Sequence, residues 1–220
     1  MHTVPVITIL ACVLVSAGLG VLYFSKRSLA LRAGRRLSHA LANCQNMFHA
    51  LKDIPDTLIS RDLRIALVLL LKHHVETLCE MQPRHPYLVE CQARLQKLNQ
   101  IPSAFARSNL RTKSERATAA KALERLTRQV LDASKARQVP VKRADLAAAA
   151  ARLAVLQLAV ESARQEARDA ENVRAYGQAM QFCQQALALA KSLPPLMRDA
   201  LSEALQGDLE RLEHYVGRAA

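Results

Sequence analysis

The chain has 220 residues, half of them hydrophobic and 23% charged, which excludes an intrinsically disordered or low-complexity polymer. Aromatic residues make up only 4%, which disfavours a β-sandwich or barrel, whereas the abundance of Ala, Leu, Arg and Gln favours helices. The formal net charge is +12, and five cysteines without a C-x-x-C pair argue against a disulfide framework.

The chain begins with an apolar segment. Val4 to Phe24 contains 21 residues and no charge. A helix of that length measures about 32 Å, which matches the hydrocarbon core of a bilayer. Residues 1–24 are therefore predicted to be a retained transmembrane anchor. The alternative is a cleaved signal peptide, which would need a basic residue before the apolar run and a small-residue cleavage site after it.

A basic juxtamembrane segment, residues 25–36, follows the anchor and is predicted to face anionic lipid. Its positive side chains are Lys26, Arg27, Arg32, Arg35 and Arg36. No Lys or Arg precedes the anchor, so the positive-inside rule places the N-terminus outside and the rest in the cytoplasm, at the inner (plasma) membrane. A second apolar run, Ile65–Leu71, is too short to span. The protein is thus predicted to be single-pass.

Residues 37–220 are predicted to form a cytoplasmic all-α domain, because apolar residues recur at spacings of three and four. Prolines between these stripes divide the chain into predicted helices at 28–53, 56–81, 86–100, 103–137, 141–169, 171–192 and 195–217. The fourth of these helices has a predicted break near 108–114. Short connections favour antiparallel helical hairpins, stacked as an α-solenoid or closed into a bundle. Two of these stripes are predicted to be the buried faces of the fourth and fifth helices. They consist of Ala119, Leu123, Leu126 and Val130, and of Leu146, Ala149, Leu153, Leu156, Val160, Ala163 and Ala167.

A short motif is repeated three times. Cys44, Cys91 and Cys183 are each followed by Gln, and in each case a proline lies eleven residues after the cysteine. The intervals of 47 and 92 residues correspond to one and two units of about 46, a period that suits stacked helical hairpins. The three cysteines lie on apolar stripes, so they are predicted to be core residues rather than nucleophiles.

No catalytic, cofactor-binding or metal-binding residue is predicted. The only cluster of metal-ligand side chains is His73, His74, Cys79 and His85, and its spacings do not fit a zinc site. These histidines are interpreted as a solvated or boundary pair. Asp56 is predicted to cap the helix that it opens. Because nucleotide-binding and hydrolase motifs are absent, the protein is predicted not to be an enzyme, although an unrecognised site is a third hypothesis.

The middle of the chain carries the sharpest functional signal. Residues 84–143 contain fourteen basic and four acidic side chains, a net charge of +10. Five of the basic residues share one predicted helix face, opposite the Ala119 stripe: Arg107, Arg111, Lys121, Arg125 and Arg128. Such a face can bind phosphates of nucleic acid or lipid, bind an acidic protein, or simply be solvated.

These features predict a membrane-anchored helical scaffold or adaptor that presents a protein-docking surface at the cytoplasmic face, without a cofactor. The alternative is a membrane-tethered protein that binds nucleic acid or anionic lipid through residues 84–143. Salt separates the two, because phosphate binding weakens steeply between ~50 and ~200 mM salt.

Overall fold

The computed structural model describes the backbone of residues 3–100, 110 and 112–219, and the side chains of residues 23, 25–100, 110 and 112–217. Within these ranges the chain forms α-helices, one short 3₁₀ turn at Asp56–Leu58 and no strand, which confirms the all-α prediction. The helices are α1 Thr3–Lys52, α2 Arg61–Met81, α3 Tyr87–Asn99, α4 Lys113–Lys135, α5 Val141–Asn172, α6 Tyr176–Ala190 and α7 Pro195–Ala219.

Helix α1 joins the predicted anchor to the rest of the protein without a break. It contains 50 residues and is therefore about 75 Å long. The predicted boundaries at residues 24 and 36 fall inside this one helix. Every side chain from Ser25 to Arg36 is exposed, and we call this part of α1 the stalk. Apart from Tyr23, the side chains of the predicted anchor lie outside the described residues.

Within the described part of the chain, the helix that is long and apolar enough to cross a membrane is α5, not the N-terminal segment. Helix α5 packs against α2, α4 and α6, and 39% of its most apolar stretch is buried inside the protein. The core helix of a globular domain meets the same criteria of length and composition. We therefore interpret α5 as a core helix, and the N-terminal anchor stays a prediction.

The predicted start of α2 at residue 56 is wrong. Helix α2 begins at Arg61, where the Ser60 hydroxyl accepts a hydrogen bond from the Leu63 N–H at 3.2 Å. Asp56 instead begins the 3₁₀ turn and does not cap α2. A serine N-cap satisfies one of the free N–H groups of the first turn, which fixes the start five residues later than expected.

The described start of α4 falls within the break that the sequence predicts near residues 108–114. Helix α4 begins at Lys113, within the predicted break, because Thr112 and Glu115 form a capping box with hydrogen bonds of 3.1 and 3.0 Å. Of the residues between α3 and α4, 101–109 and 111 lie outside the described part of the chain. Arg107 and Arg111, two residues of the predicted basic face, lie outside the described residues.

The interior falls into two parts that share α5. The larger part contains α1, α2, α3, α4 and the N-terminal half of α5, and is rich in leucine. The smaller part consists of two clusters among the C-terminal half of α5, α6 and α7, and is rich in alanine. Helix α1 packs against α2, α2 against α3, α4 against α5, α5 against α6 and α6 against α7. A regular stack of hairpins remains a prediction.

The buried seam of α5 differs from the predicted one in its N-terminal half. Leu146 is 41% exposed and Ala149 is also exposed, whereas Ala147, Ala151 and Leu158 are buried. Helix α5 lies close to both α2 and α4, and only the small alanine side chain allows such an approach on two sides. The larger Leu153 and Leu156 therefore lie half-buried at the edges of the seam.

Candidate docking groove and polar cavity

Helices α4 and α5 border an open apolar groove of about 620 Å³, which we call the α4–α5 groove. The two helices run antiparallel, as the contacts of Lys113 with Glu166 at 2.9 Å and of Arg116 with Ser162 at 3.2 Å show. The groove residues come from one face of each helix: Glu124, Thr127, Arg128, Leu131, Ala151, Arg152, Val155, Leu156 and Ala159.

The groove combines an apolar floor with a mainly positive rim. Leu131, Val155 and Leu156 are half-buried and pack on the larger core or on the cluster of α5, α6 and α7. Arg128 and Arg152 stand at the rim and are exposed. Among the described residues, neither arginine forms an ion pair with a carboxylate, and Glu124 is the one acidic side chain of the lining. The groove therefore offers both unpartnered apolar surface and available positive charge.

The predicted basic face is present in part. Lys121, Arg125 and Arg128 are exposed on α4, on the side opposite the predicted seam. That seam is confirmed, since Ala119, Leu123, Leu126 and Val130 are all fully buried. Of the three basic residues, Arg128 also lines the α4–α5 groove. The described part of the basic face therefore consists of these three residues, and it adjoins an apolar surface that the sequence did not reveal.

A second site, which we call the polar cavity, lies among α1, α2, α4 and the α4–α5 connection. It has an inner compartment of about 210 Å³ and an outer one of about 560 Å³. His39, His74 and Gln138 line both compartments, so the two are adjacent. The sequence singled out His73 and His74 but not His39, which precedes them by more than thirty residues and is brought near only by helix packing.

His74 is the central side chain of the polar cavity. Only 3% of it is exposed, which corrects the interpretation of a solvated or boundary pair. Burial and the neighbouring His73 and His39 lower the pKa of His74 to about 4. The ring is therefore neutral near pH 7 and offers one N–H donor and one acceptor nitrogen. His73, whose ring centroid lies 5.8 Å from that of His74, is half-buried and lines the outer compartment.

The two compartments differ in the hydrogen-bonding groups that they present. The inner one is lined by the amide side chains of Asn43, Gln129 and Gln138 and by the carboxylate of Asp132, and the Gln129 oxygen itself is inaccessible to solvent. The outer one contains the exposed guanidinium groups of Arg35 and Arg36 and the carboxylate of Glu80. The other predicted juxtamembrane residues, Lys26, Arg27 and Arg32, are exposed on the stalk and do not line the cavity.

The repeat cysteines occupy the interior, which confirms their predicted core role. Cys44, Cys91 and Cys183 are buried, and Cys79 is half-buried. The first two meet between α1 and α3, where the Cys44 thiol donates a hydrogen bond to the Cys91 sulfur and, together with burial, raises the pKa of Cys44 well above its usual range. A buried thiol of this kind is a poor nucleophile. Within the described residues no group of three or more His, Cys, Asp or Glu could hold a metal ion.

Comparison of the chain with protein-family models, curated proteins and solved structures finds no match. The arguments for function therefore rest on the α4–α5 groove, the polar cavity and the charge distribution.

Proposed function

We propose that the protein is a membrane-anchored helical scaffold whose α4–α5 groove binds an acidic amphipathic helix of a partner protein at the cytoplasmic face. The observation that carries this proposal is the apolar floor of the groove beneath the unpaired guanidinium groups of Arg128 and Arg152. An amphipathic helix places apolar residues into such a groove at spacings of three and four. Carboxylates on its flanks would then meet the arginine rim.

The positive charge around the groove favours an acidic partner helix. Lys121 and Arg125 extend the positive rim along the exposed face of α4, and only Glu124 opposes them within the groove lining. An acidic helix satisfies these charges, whereas a basic or neutral one leaves them unpaired. Nucleic acid would pair with the arginines but leave the apolar floor without a partner, so the groove favours protein over phosphate.

The proposed anchor gives the scaffold its position. Helix α1 continues from the predicted anchor through the exposed stalk to the packed helices without a break. A continuous helix holds the domain at a defined distance from the bilayer, unlike a flexible linker. Leu29 and Leu31 are 61% and 58% exposed on the stalk among its basic side chains, a combination typical of a segment at a membrane surface.

The groove is tested with the full chain in detergent and a synthetic helical peptide that carries Leu at positions i, i+3 and i+7 and Glu elsewhere. We expect the peptide to bind, and the double variant Arg128→Glu/Arg152→Glu to weaken binding about tenfold or more, as the loss of two charged contacts implies. The matched control is Arg168→Glu, which reverses an exposed charge on α5 outside the groove. Equal affinity of both variants for the peptide would contradict the proposal.

The alternative, binding of nucleic acid or anionic lipid by residues 84–143, is tested with duplex DNA and with phosphatidylserine vesicles. Affinity for DNA that falls steeply between ~50 and ~200 mM salt, with no affinity for the acidic peptide, would favour the alternative. Binding of the acidic peptide that persists at ~200 mM salt, with no affinity for DNA at that salt, supports the scaffold.

The anchor and its orientation are tested separately. The full chain should remain in the membrane fraction after washing at alkaline pH, and deletion of residues 1–24 should release it. A reporter fused after Ala220 should be active only when it is cytoplasmic. Release of the intact chain by the wash, or activity of a periplasmic reporter, would overturn the anchor or the orientation respectively.

A further inference from the structure

We propose that the helix that occupies the α4–α5 groove is α7 of a second copy of this chain, so that the protein associates with itself. This inference rests on the proposed function, because it names the partner of the groove. The observation behind it is the outer surface of α7, where an acidic side and an apolar strip lie next to each other. The groove, with its basic rim and apolar floor, requires both of its occupant.

The acidic side of α7 consists of carboxylates that are available to a partner. Glu203, Glu210 and Glu213 are exposed at spacings of seven and three, which places them along one side of the helix. None of the three forms an ion pair within the described part of the chain. The guanidinium groups of Arg198 and Arg211, in contrast, already contact carboxylates at 3.0 and 3.1 Å. Helix α7 therefore presents uncompensated negative charge on its outer surface.

An apolar strip lies beside the acidic side on the same outer surface. Leu196 is 93% exposed and Met197 is 42% exposed. Ala200 and Ala204 continue the strip one and two turns further along α7, and both are exposed. Met197 and the two alanines border an open space of about 490 Å³ beside α5, so the strip is accessible to a partner. Its small side chains allow a second helix to approach closely.

The acidic side of α7 and the basic face of α4 match in length. Glu203 and Glu210 are seven residues apart, and so are Lys121 and Arg128. Seven residues correspond to two helical turns and a rise of about 10.5 Å. Two oppositely charged pairs can therefore form at once when α7 lies along α4. The apolar strip beside the carboxylates then meets the apolar floor of the groove.

The α7 that enters the groove belongs to a second copy and not to the same chain. Leu205 and Leu212 are fully buried and pack α7 against α5 and α6. In that position α7 contributes no residue to the α4–α5 groove of its own chain. The donor and acceptor surfaces are thus different parts of the molecule, so each copy can donate α7 to one neighbour and accept α7 from another.

The test is sedimentation velocity of the full chain in detergent over a range of protein concentrations. We expect reversible association that Glu203→Lys/Glu210→Lys weakens about tenfold or more, because like charges then face each other. Arg128→Glu/Arg152→Glu should weaken it to a similar extent from the groove side. Combining all four substitutions in one chain should restore association, since the charges are exchanged between the two surfaces rather than lost.

The matched control is Glu80→Lys/Asp145→Lys, which reverses two exposed acidic charges outside α7 and outside the groove. It should leave association unchanged. The inference is overturned if the control weakens association as much as the α7 double variant, or if the combined variant does not recover. Association that neither the α7 nor the groove double variant weakens would also overturn it, because the contact would then lie elsewhere, for example in the predicted anchor.

The synthetic acidic peptide separates failure of this inference from failure of the proposed function. A full chain that stays monomeric but still binds the peptide through Arg128 and Arg152 has a different protein as its partner. That result overturns the inference and supports the proposed function. A chain that neither associates nor binds the peptide contradicts both.

Discussion

The two parts of the interior use different chemistry to hold helices together. The part around α1 to α4 buries large side chains such as Met47, Leu67 and Leu123, together with the polar groups Arg64, His74 and Arg116. The part around α6 and α7 buries mainly alanines, with Leu205 and Leu212 as its fully buried leucines. Among the described residues, the charged and polar residues that are classed as buried thus all lie in the first part.

This difference indicates where function and stability lie. Alanine interfaces bury little apolar area per residue. The second part also contains half-buried ion pairs, such as Arg164 with Asp208 at 3.5 Å and Arg211 with Glu171 at 3.1 Å. We infer that α6 and α7 open at lower free energy than the rest, while the polar cavity lies in the more stable part. The groove lies along α5, where the two parts meet.

The largest expected effect distinguishes the two parts directly. Leu67→Ala should lower the free energy of unfolding by about 3–5 kcal/mol, because it leaves a cavity in the larger core. Leu205→Ala, at an equally buried position, should mainly increase hydrogen exchange in α6 and α7. Denaturant unfolding and amide exchange measure the two effects. Equal loss of protection in α2 from both variants would show that the protein opens as one unit.

The next prediction concerns His74 in the larger part. Its pKa is lowered to about 4, whereas an unfolded histidine titrates near 6.5. Protonation of His74 is therefore less favourable in the folded state than in the unfolded state. The contribution of the neutral ring to stability is complete above pH 6.5 and is lost as the pH falls towards 4. The free energy of unfolding should therefore decrease by roughly 3 kcal/mol over this pH range.

His74→Gln should remove this pH dependence from denaturant midpoints measured between pH 7 and pH 4, and should leave the α6–α7 part unaffected. His214→Gln, which alters an exposed histidine on α7, is the control and should keep the parent profile. A parent protein whose stability does not change over this range would contradict the assignment of a neutral, buried ring.

Helices α4 and α5 differ in how well the sequence predicts their buried faces. The seam of α4 follows the apolar spacing, because α4 buries a single face. The seam of α5 does not, because α5 approaches α2 and α4 on two sides and alanine rather than leucine occupies the contact. The start of α4 was visible as Thr112 and Glu115, yet the prolines at positions 102 and 140 suggested a longer helix. Local sequence patterns therefore predict the positions of helices better than they predict which residues those helices bring into contact.

The polar cavity and the groove were not predictable for the same reason. His39 and His74 lie on different helices, and no spacing in the sequence relates them. The basic face was predicted from helical periodicity, but its relation to Val155 and Leu156 depends on how α5 is rotated against α4. Such a rotation is set by side-chain packing across the pair and not by the pattern of either helix alone.

A smaller effect is expected from Arg64, whose guanidinium donates to the carbonyls of Leu98 and Gln100 at 3.3 Å and of Asp56 at 3.2 Å. It satisfies the C-terminal carbonyls of α3 from within the larger core. Arg64→Met should destabilise the protein by about 2 kcal/mol, because buried carbonyls lose their donor. Exchange of the last turn of α3 should increase most. Arg61→Met, at an exposed position of α2, should change neither quantity.

The smallest effect is expected from two equivalent turns, one after α4 and one after α5. Arg137 and Arg174 follow the ends of α4 and α5 with φ of 58°, a left-handed conformation that disfavours a residue with a Cβ. In both turns the next N–H bonds back to a helix carbonyl at 2.9 Å, from Gln138 to Ala133 and from Ala175 to Ala170. Glycine is the residue that this helix end favours, so each Arg→Gly change should stabilise by about 1 kcal/mol.

The two Arg→Gly changes should stabilise different parts of the protein. Arg137→Gly should raise the denaturant midpoint of the larger part, whereas Arg174→Gly should slow exchange in α6 and α7 and leave the larger part unchanged. The control is Lys121→Gly, in the exposed interior of α4, which should destabilise by about 1 kcal/mol because glycine is unfavourable there. If Arg174→Gly instead raises a single midpoint for the whole chain, then α5 couples the two parts strongly enough that they unfold together, and the groove along α5 is as rigid as the polar cavity.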